Sequence, residues 1–221
     1  MMLPKPTAVI FGWDNTLVNT WPIIGAALNA TFRDMGMPEW PMAKIKENVS
    51  KSMRDSFPLL FGKDWQKQGD IYQAHYRAIH LDRLEALPHA VEVLDKVKEN
   101  GLHCVVVSNK KGVNLRKEIL HIGWSGYFDN AIGADDAAKD KPHADPVHLA
   151  FAETDIVPGK DVWFIGDSEI DLHCAKNTGC TAVLYGETPL THPEYTKTHY
   201  IGFPYDAHVH NHTETLKLLN F

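Results

Sequence analysis

Four short stretches carry side chains of the kind that handle a phosphorylated small molecule. Asp14 and Thr16 lie in a polar loop directly behind the apolar run Ala8 to Phe11. Ser108 and Asn109 follow the apolar run His103 to Val107, and Lys141 sits in a charged loop, residues 134–146. Asp167 and Asp171 follow the apolar run Val162 to Ile165. A hydroxyl, an ammonium and a set of carboxylates meeting at one point is what phosphoryl transfer wants. Carboxylate and carbonyl oxygens hold a hard divalent cation such as Mg²⁺, while Ser and Lys hold phosphate oxygens. Asp167 and Asp171 are four apart at the start of a helix, so both side chains can reach one side of a site.

The elements needed to bring these residues together are legible in the hydrophobic pattern. The apolar runs read as buried strands, with further short strands at Ala131 to Gly133 and Thr181 to Leu184. Between them lie helices over Ala90 to Asn100 (Val91, Leu94 and Val97 inward, Gly101 closing it), Val113 to Ile122, a segment reaching Thr154, and a segment ending at Gly179. Strands alternating with helices imply βαβ units and a parallel sheet. In such sheets ligands bind beyond the carboxyl ends of the strands, where all four stretches fall. Residues 19–85 depart from this alternation. Trp21 to Met35 and Trp65 to His80 have helical periodicity, with breaks at Pro41, Pro58 and Gly62 and no convincing strand between them. A helical block inserted behind the first strand suggests a cap. The expected fold is therefore a Rossmann-like parallel α/β core, residues 1–18 and 86–221, with an α-helical cap over 19–85.

Composition narrows the partners. The chain has 221 residues, 44% of them hydrophobic, and a formal net charge of −6, which argues against general nucleic-acid binding. No apolar run approaches the roughly 18 residues that cross a bilayer, and the first residues lack the apolar core of a signal peptide. Cys104, Cys174 and Cys180 have no metal-like spacing, which fits reduced thiols in a cytoplasmic protein.

In order, these stretches resemble the motifs of the haloacid dehalogenase superfamily of phosphohydrolases, in its phosphoglycolate phosphatase-like branch. The first motif of that family is Asp-x-Asp-x-Thr after a strand; this chain has Gly12-Trp13-Asp14-Asn15-Thr16. Ser108 resembles the second-motif phosphate ligand with Asn109 beside it. Lys141, followed by Pro142 and Pro146, resembles the third-motif lysine. Gly166-Asp167-Ser168-x-x-Asp171 resembles the fourth motif. The resemblance implies a Mg²⁺-dependent hydrolase of a small phosphate monoester, monomeric or homodimeric. Asp14, Asp167 and Asp171 would serve the metal, and Ser108, Asn109 and Lys141 the phosphate. In the family the first aspartate attacks phosphorus, while the second, here Asp14, protonates the leaving oxygen and then activates water. Gly12 occupies the nucleophile position. The resemblance thus implies a chain that is inactive or nearly so, by substitution in a working phosphatase or as a natural phosphate-binding pseudoenzyme. A haloacid dehalogenase and a sugar-phosphate mutase share the fold, but the dehalogenase also needs the first aspartate and has little use for the metal pair.

Blander readings stand beside these. Gly12 could serve a tight turn, Ser108 could cap the next helix, and Asp167 and Asp171 could be helix N-terminal acids. Lys139 competes with Lys141 for the inward position; Pro142 favours Lys141. Trp13 and Trp21 could touch substrate or pack in the core. Ser50, Lys51 and Arg54 sit where related caps contact substrate, or on a solvated helix face. His208, His210 and His212 alternate as metal ligands can, although a solvated, loosely ordered tail explains them better.

Overall fold

The computed structural model describes residues 3–49, 51–186 and 205–221. Ser50 and the start of the expected tail (residues 195–204) lie outside them. Six strands form one parallel sheet in the order β5-β4-β1-β6-β7-β8. They are β1 (Ala8–Phe11), β4 (His103–Lys111), β5 (Asn130–Ala134), β6 (Val162–Gly166), β7 (Thr181–Tyr185) and β8 (Ala207–Val209). The central strands are apolar on both faces because both are covered. Val9, Phe11, Val106, Trp163 and Ile165 pack against helices α5 (Ala90–Glu99) and α6 (Gly112–His121), with Leu219 just beyond α9 (His212–Leu218). Ala8, Ile10, Val105, Val107 and Phe164 pack against α7 (Asp145–Ala150) and α8 (Glu169–Thr178). Period-2 alternation along β1 thus feeds two separate cores.

Four helices interrupt the sheet after β1: α1 (Trp21–Asp34), α2 (Met42–Asn48), α3 (Met53–Phe61) and α4 (Trp65–Ile79). They share a core of their own around Leu28, Phe32, Ile45 and Phe57. Their stems are tied by a two-residue antiparallel pair, β2 (Val18–Asn19) with β3 (Glu85–Ala86). The block therefore joins the sheet through a narrow neck.

Several expectations need correction. Val91 is 38% exposed, and Ala90, Val93, Leu94 and Val97 face inward instead. That set follows the i, i+3, i+4, i+7 rule, from which Val91 departs. Pro58 does not break its helix but lies inside α3. It forfeits one bond to the Arg54 carbonyl while Phe57 packs on Phe61 and Tyr72. The helix expected to reach Thr154 ends at Ala150, and turns follow it. β4 runs past Val107 to Lys111, with its register to β5 shifting between those residues. The His-rich tail is not loose where it is described: β8 extends the sheet, and His212 is fully buried.

Candidate active site

The carboxyl ends of β1, β4 and β6 open into one cavity of about 710 Å³ between the sheet and the helical block. Gly12, Asp14, Ser108, Asn109, Lys141, Asp167 and Asp171 all line it. These seven are therefore at one mouth of the sheet, while Thr16 is buried behind it. From the helical block the walls include Trp21, Ile24, Arg54 and Tyr72.

The first loop is shaped by Asn15, whose φ of 55° is a left-handed turn that asparagine tolerates better than most residues. The turn lifts Asp14 into the cavity and sends the Thr16 hydroxyl to Asp167 Oδ1, 3.2 Å away. His212 Nε2 donates to the Thr16 carbonyl at 2.8 Å from the far side. Burial holds His212 down to about 4, so its neutral form is the one that packs there. Gly12 lies outside the left-handed region and needs no glycine conformation. A Cβ there would meet only the rotatable Thr16 hydroxyl, at 2.8 Å, and ordinary contacts beyond it. The tight-turn reading of Gly12 therefore has no conformational basis, and a Cβ there is accommodated once the Thr16 hydroxyl, bonded to Asp167, turns aside. Gly166 is different, because a Cβ there would collide with the Asp171 side chain at 2.4 Å.

Asp14 is held by two neighbours from β4. Ser108 Oγ donates to Asp14 Oδ2 at 3.3 Å, and Lys110 Nζ lies 2.6 Å from Asp14 Oδ1. Ser108 does not cap α6; its oxygen accepts from the Lys110 amide, a local turn within the strand end. Asn109 donates to the Lys141 carbonyl at 3.0 Å, joining the second stretch to the third. Lys141 is 6% exposed, and its ammonium reaches the Val107 carbonyl (2.7 Å) and Asp171 Oδ1 (2.6 Å); Lys139 is exposed. Asp171 Oδ2 accepts from the Ser168 amide and hydroxyl in a capping box at the start of α8. Asp171 thus anchors the helix start, as its helix-terminal reading has it, and also holds Lys141.

The donor set for a cation can be judged from these partners. Of the three carboxylates, Asp14 is paired with Lys110 and Asp171 with Lys141 and Ser168, while Asp167 has no ion-pair partner among the described residues. Burial, reinforced by the Asp171 charge, pushes Asp167 up to about 8. Gly12 contributes no donor, and among the described residues no group of three His, Cys, Asp or Glu side chains is arranged to hold a metal. The residues present do not make a complete magnesium site.

Sequence reasoning missed two features. Lys110 and Glu118 form a buried ion pair behind Asp14, with Nζ to Oε2 at 2.6 Å. Arg54 of α3 forms a two-pronged pair with the buried Asp140 beside Lys141, bridging the helical block and the sheet. The proximity of Lys110 to the Ser-Asn pair was the available signal for the first; nothing in the sequence links residues 54 and 140. Trp13 is buried, its ring against Trp124 and its indole nitrogen donating to Glu118, which is core packing. His208, His210 and His212 take separate partners, Gly186, Glu214 and Thr16.

A parallel sheet with a helical insertion after the first strand, carrying an acid, a hydroxyl, a lysine and an acid pair at its carboxyl edge, defines a class of hydrolase. A profile of the haloacid dehalogenase-like hydrolases matches residues 9–185, and the chain belongs to that family. It is 27% identical over 214 residues to a phosphoglycolate phosphatase of Rhodobacter capsulatus, covering 92% of each chain. With one from Aquifex aeolicus the identity is 27% over 80% of this chain and 83% of the other. Among solved structures, a HAD-superfamily hydrolase from Ehrlichia chaffeensis superposes with a TM-score of 0.65 at 29% identity, covering 98% and 97%. CbbY from Rhodobacter sphaeroides, solved with phosphate, shares the fold at a TM-score of 0.81, 19% identity and coverage of 98% and 100%.

Proposed function

We propose that this site is built for hydrolysis of a small phosphate monoester, of the kind the phosphoglycolate phosphatase relatives are named for, and that Gly12 stops the reaction before its covalent step. The observation that carries the reading is the convergence of Asp14, Ser108, Lys141 and Asp167 on one cavity that Gly12 also lines, where the Thr16 hydroxyl is the one close neighbour of an added Cβ. Ser108 and the Asn109 amide receive phosphate oxygens, and the Lys141 ammonium balances their charge. Asp14 stands where the leaving oxygen emerges, to donate a proton and later accept one from water. What is missing is a carboxylate to displace that oxygen and carry the phosphoryl group. The helical block, residues 19–85, acts as a cap that shuts bulk water out, with the β2–β3 neck as its hinge and Arg54 as one point of closure.

Magnesium belongs to this proposal as a requirement of the repaired site. It would screen the phosphate, held by Asp167, the Asp14 carbonyl and a carboxylate restored at residue 12. The chain as it stands binds phosphate esters without turning them over. Calorimetry with inorganic phosphate on this chain, and phosphate-release assays on the Gly12→Asp form with Mg²⁺, test the two halves separately. Failure of phosphate to bind either form would refute the phosphate seat. A soluble protein acting in the cytoplasm, as monomer or homodimer, fits the proposal.

A further inference from the structure

Behind Asp14, on the side away from the phosphate seat, lies a fully buried carboxylate that the reaction as described does not use. Glu118, on α6, is 0% exposed. It accepts from Lys110 Nζ (2.6 Å), Trp13 Nε1 (2.7 Å) and the Tyr76 hydroxyl (2.9 Å), and pairs with His80 Nδ1 (2.7 Å). Burial opposes its charge, but Lys110 and these hydrogen bonds outweigh burial and hold Glu118 down to about 2. A buried carboxylate with four donors is costly unless each is needed, because losing any partner strands charge out of water. Its partners come from three places: the first loop, β4, and the end of α4 in the cap.

Lys110 is the link to chemistry. Its side chain is 5% exposed, and its ammonium donates to Glu118 Oε2 and forms an ion pair with Asp14 Oδ1, 2.6 Å from each. A lysine side chain has four rotatable bonds and costs much entropy to fix. With Glu118 accepting its hydrogen bond, the ammonium charge is kept in an ion pair beside Asp14 Oδ1. Asp14 is thereby fixed from one oxygen by Lys110 and from the other by Ser108. An acid that must meet a leaving oxygen gains from such fixing, because small misplacements of a catalytic group cost large factors in rate.

We propose that Glu118 is the positioning residue for proton delivery by Asp14, acting through Lys110, with Tyr76 and His80 of the cap holding it in place. The assignment rests on the phosphatase reading, so its test uses the full chain carrying Gly12→Asp. Two substrates are compared: an alkyl phosphate, whose leaving oxygen needs a proton, and 4-nitrophenyl phosphate, whose leaving group departs without one. Glu118→Gln keeps the shape and some hydrogen bonds but removes the charge that fixes Lys110. The expected result, read in the first turnover before the phosphoenzyme is hydrolysed, is release of the alcohol slowed about tenfold or more against little change in release of 4-nitrophenol, since the later hydrolysis uses Asp14 for both esters alike. A merely structural role would lower both rates together, and that outcome overturns the proposal. If Glu118→Gln unfolds at the assay temperature, Lys110→Met is read by the same split. Should the Gly12→Asp parent hydrolyse neither ester, the phosphatase reading falls and this assignment falls with it. A working parent without the split removes only this assignment.

Discussion

Replacing Asp167 with asparagine should stabilise the protein, and the gain should depend on pH in a defined way. Asp167 is half-buried at the cavity floor and receives one hydrogen bond, from Thr16. Burial and the neighbouring Asp171 raise it from 3.8 to about 8. An acid whose folded pKa is raised makes the folded state bind its proton more tightly than the unfolded state does. Its contribution is therefore neutral below about pH 4 and grows more unfavourable as pH climbs to about 8. At neutral pH the full shift corresponds to about 4 kcal/mol, at about 1.4 kcal/mol per unit over the roughly three units separating 3.8 from pH 7. Asp167 is only half-buried where it lines the cavity, so hydration recovers part of this, and about 2 kcal/mol is the expected gain. Asparagine keeps an oxygen for the Thr16 hydroxyl and carries no charge. Urea melts of both forms from about pH 4 to about pH 8, without divalent metal, measure the difference. A gain near zero at the acid end that rises with pH supports the site's electrostatics. A loss of stability, or a gain independent of pH, would refute the claim that Asp167 lacks a compensating charge.

Three further outcomes follow from the same geometry. His212, lowered to about 4 by burial, must stay neutral in the fold, so stability should fall as pH drops from about 6.5 to about 4, by roughly 3 kcal/mol. His212→Gln should flatten that stretch of the pH profile of urea midpoints. Arg54→Ala leaves the buried Asp140 with the Asp135 amide as its remaining donor and should cost about 1–3 kcal/mol. Hydrogen exchange should quicken in α3 more than in the sheet, since the tie it removes joins the cap to the core. Lys141→Met strands Asp171 in the interior and should cost about 3–5 kcal/mol, with phosphate affinity lost in calorimetry even under conditions where the variant is folded.

The sheet was legible in the sequence because its central strands are buried on both faces and read as unbroken apolar runs between helices. The four chemical stretches were legible because each follows such a run, where a parallel sheet delivers its loops. Pro142 favoured Lys141 over Lys139, and it is Lys141 that is buried against Asp171 while Lys139 is exposed. What stayed hidden depends on long-range pairing. Glu118 reads as an ordinary acid on an amphipathic helix, and only the folded chain brings it to Tyr76, His80 and Lys110. Arg54 and Asp140 are likewise brought together by the folded chain alone. Pro58 misled because proline is a poor guide to helix ends when an aromatic neighbour supplies packing that outweighs one lost bond. The tail misled because its polar composition masks a short edge strand, β8, and the buried His212 behind it.

Turnover in this cavity hinges on residue 12. Phosphate release from a small phosphate ester with Mg²⁺, measured side by side for the present chain and for Gly12→Asp, tests it most directly. The expected result is multiple turnovers by the aspartate form and none by the glycine form. Equal rates in the two would show that the attacking group lies elsewhere and contradict the mechanism assigned to this cavity.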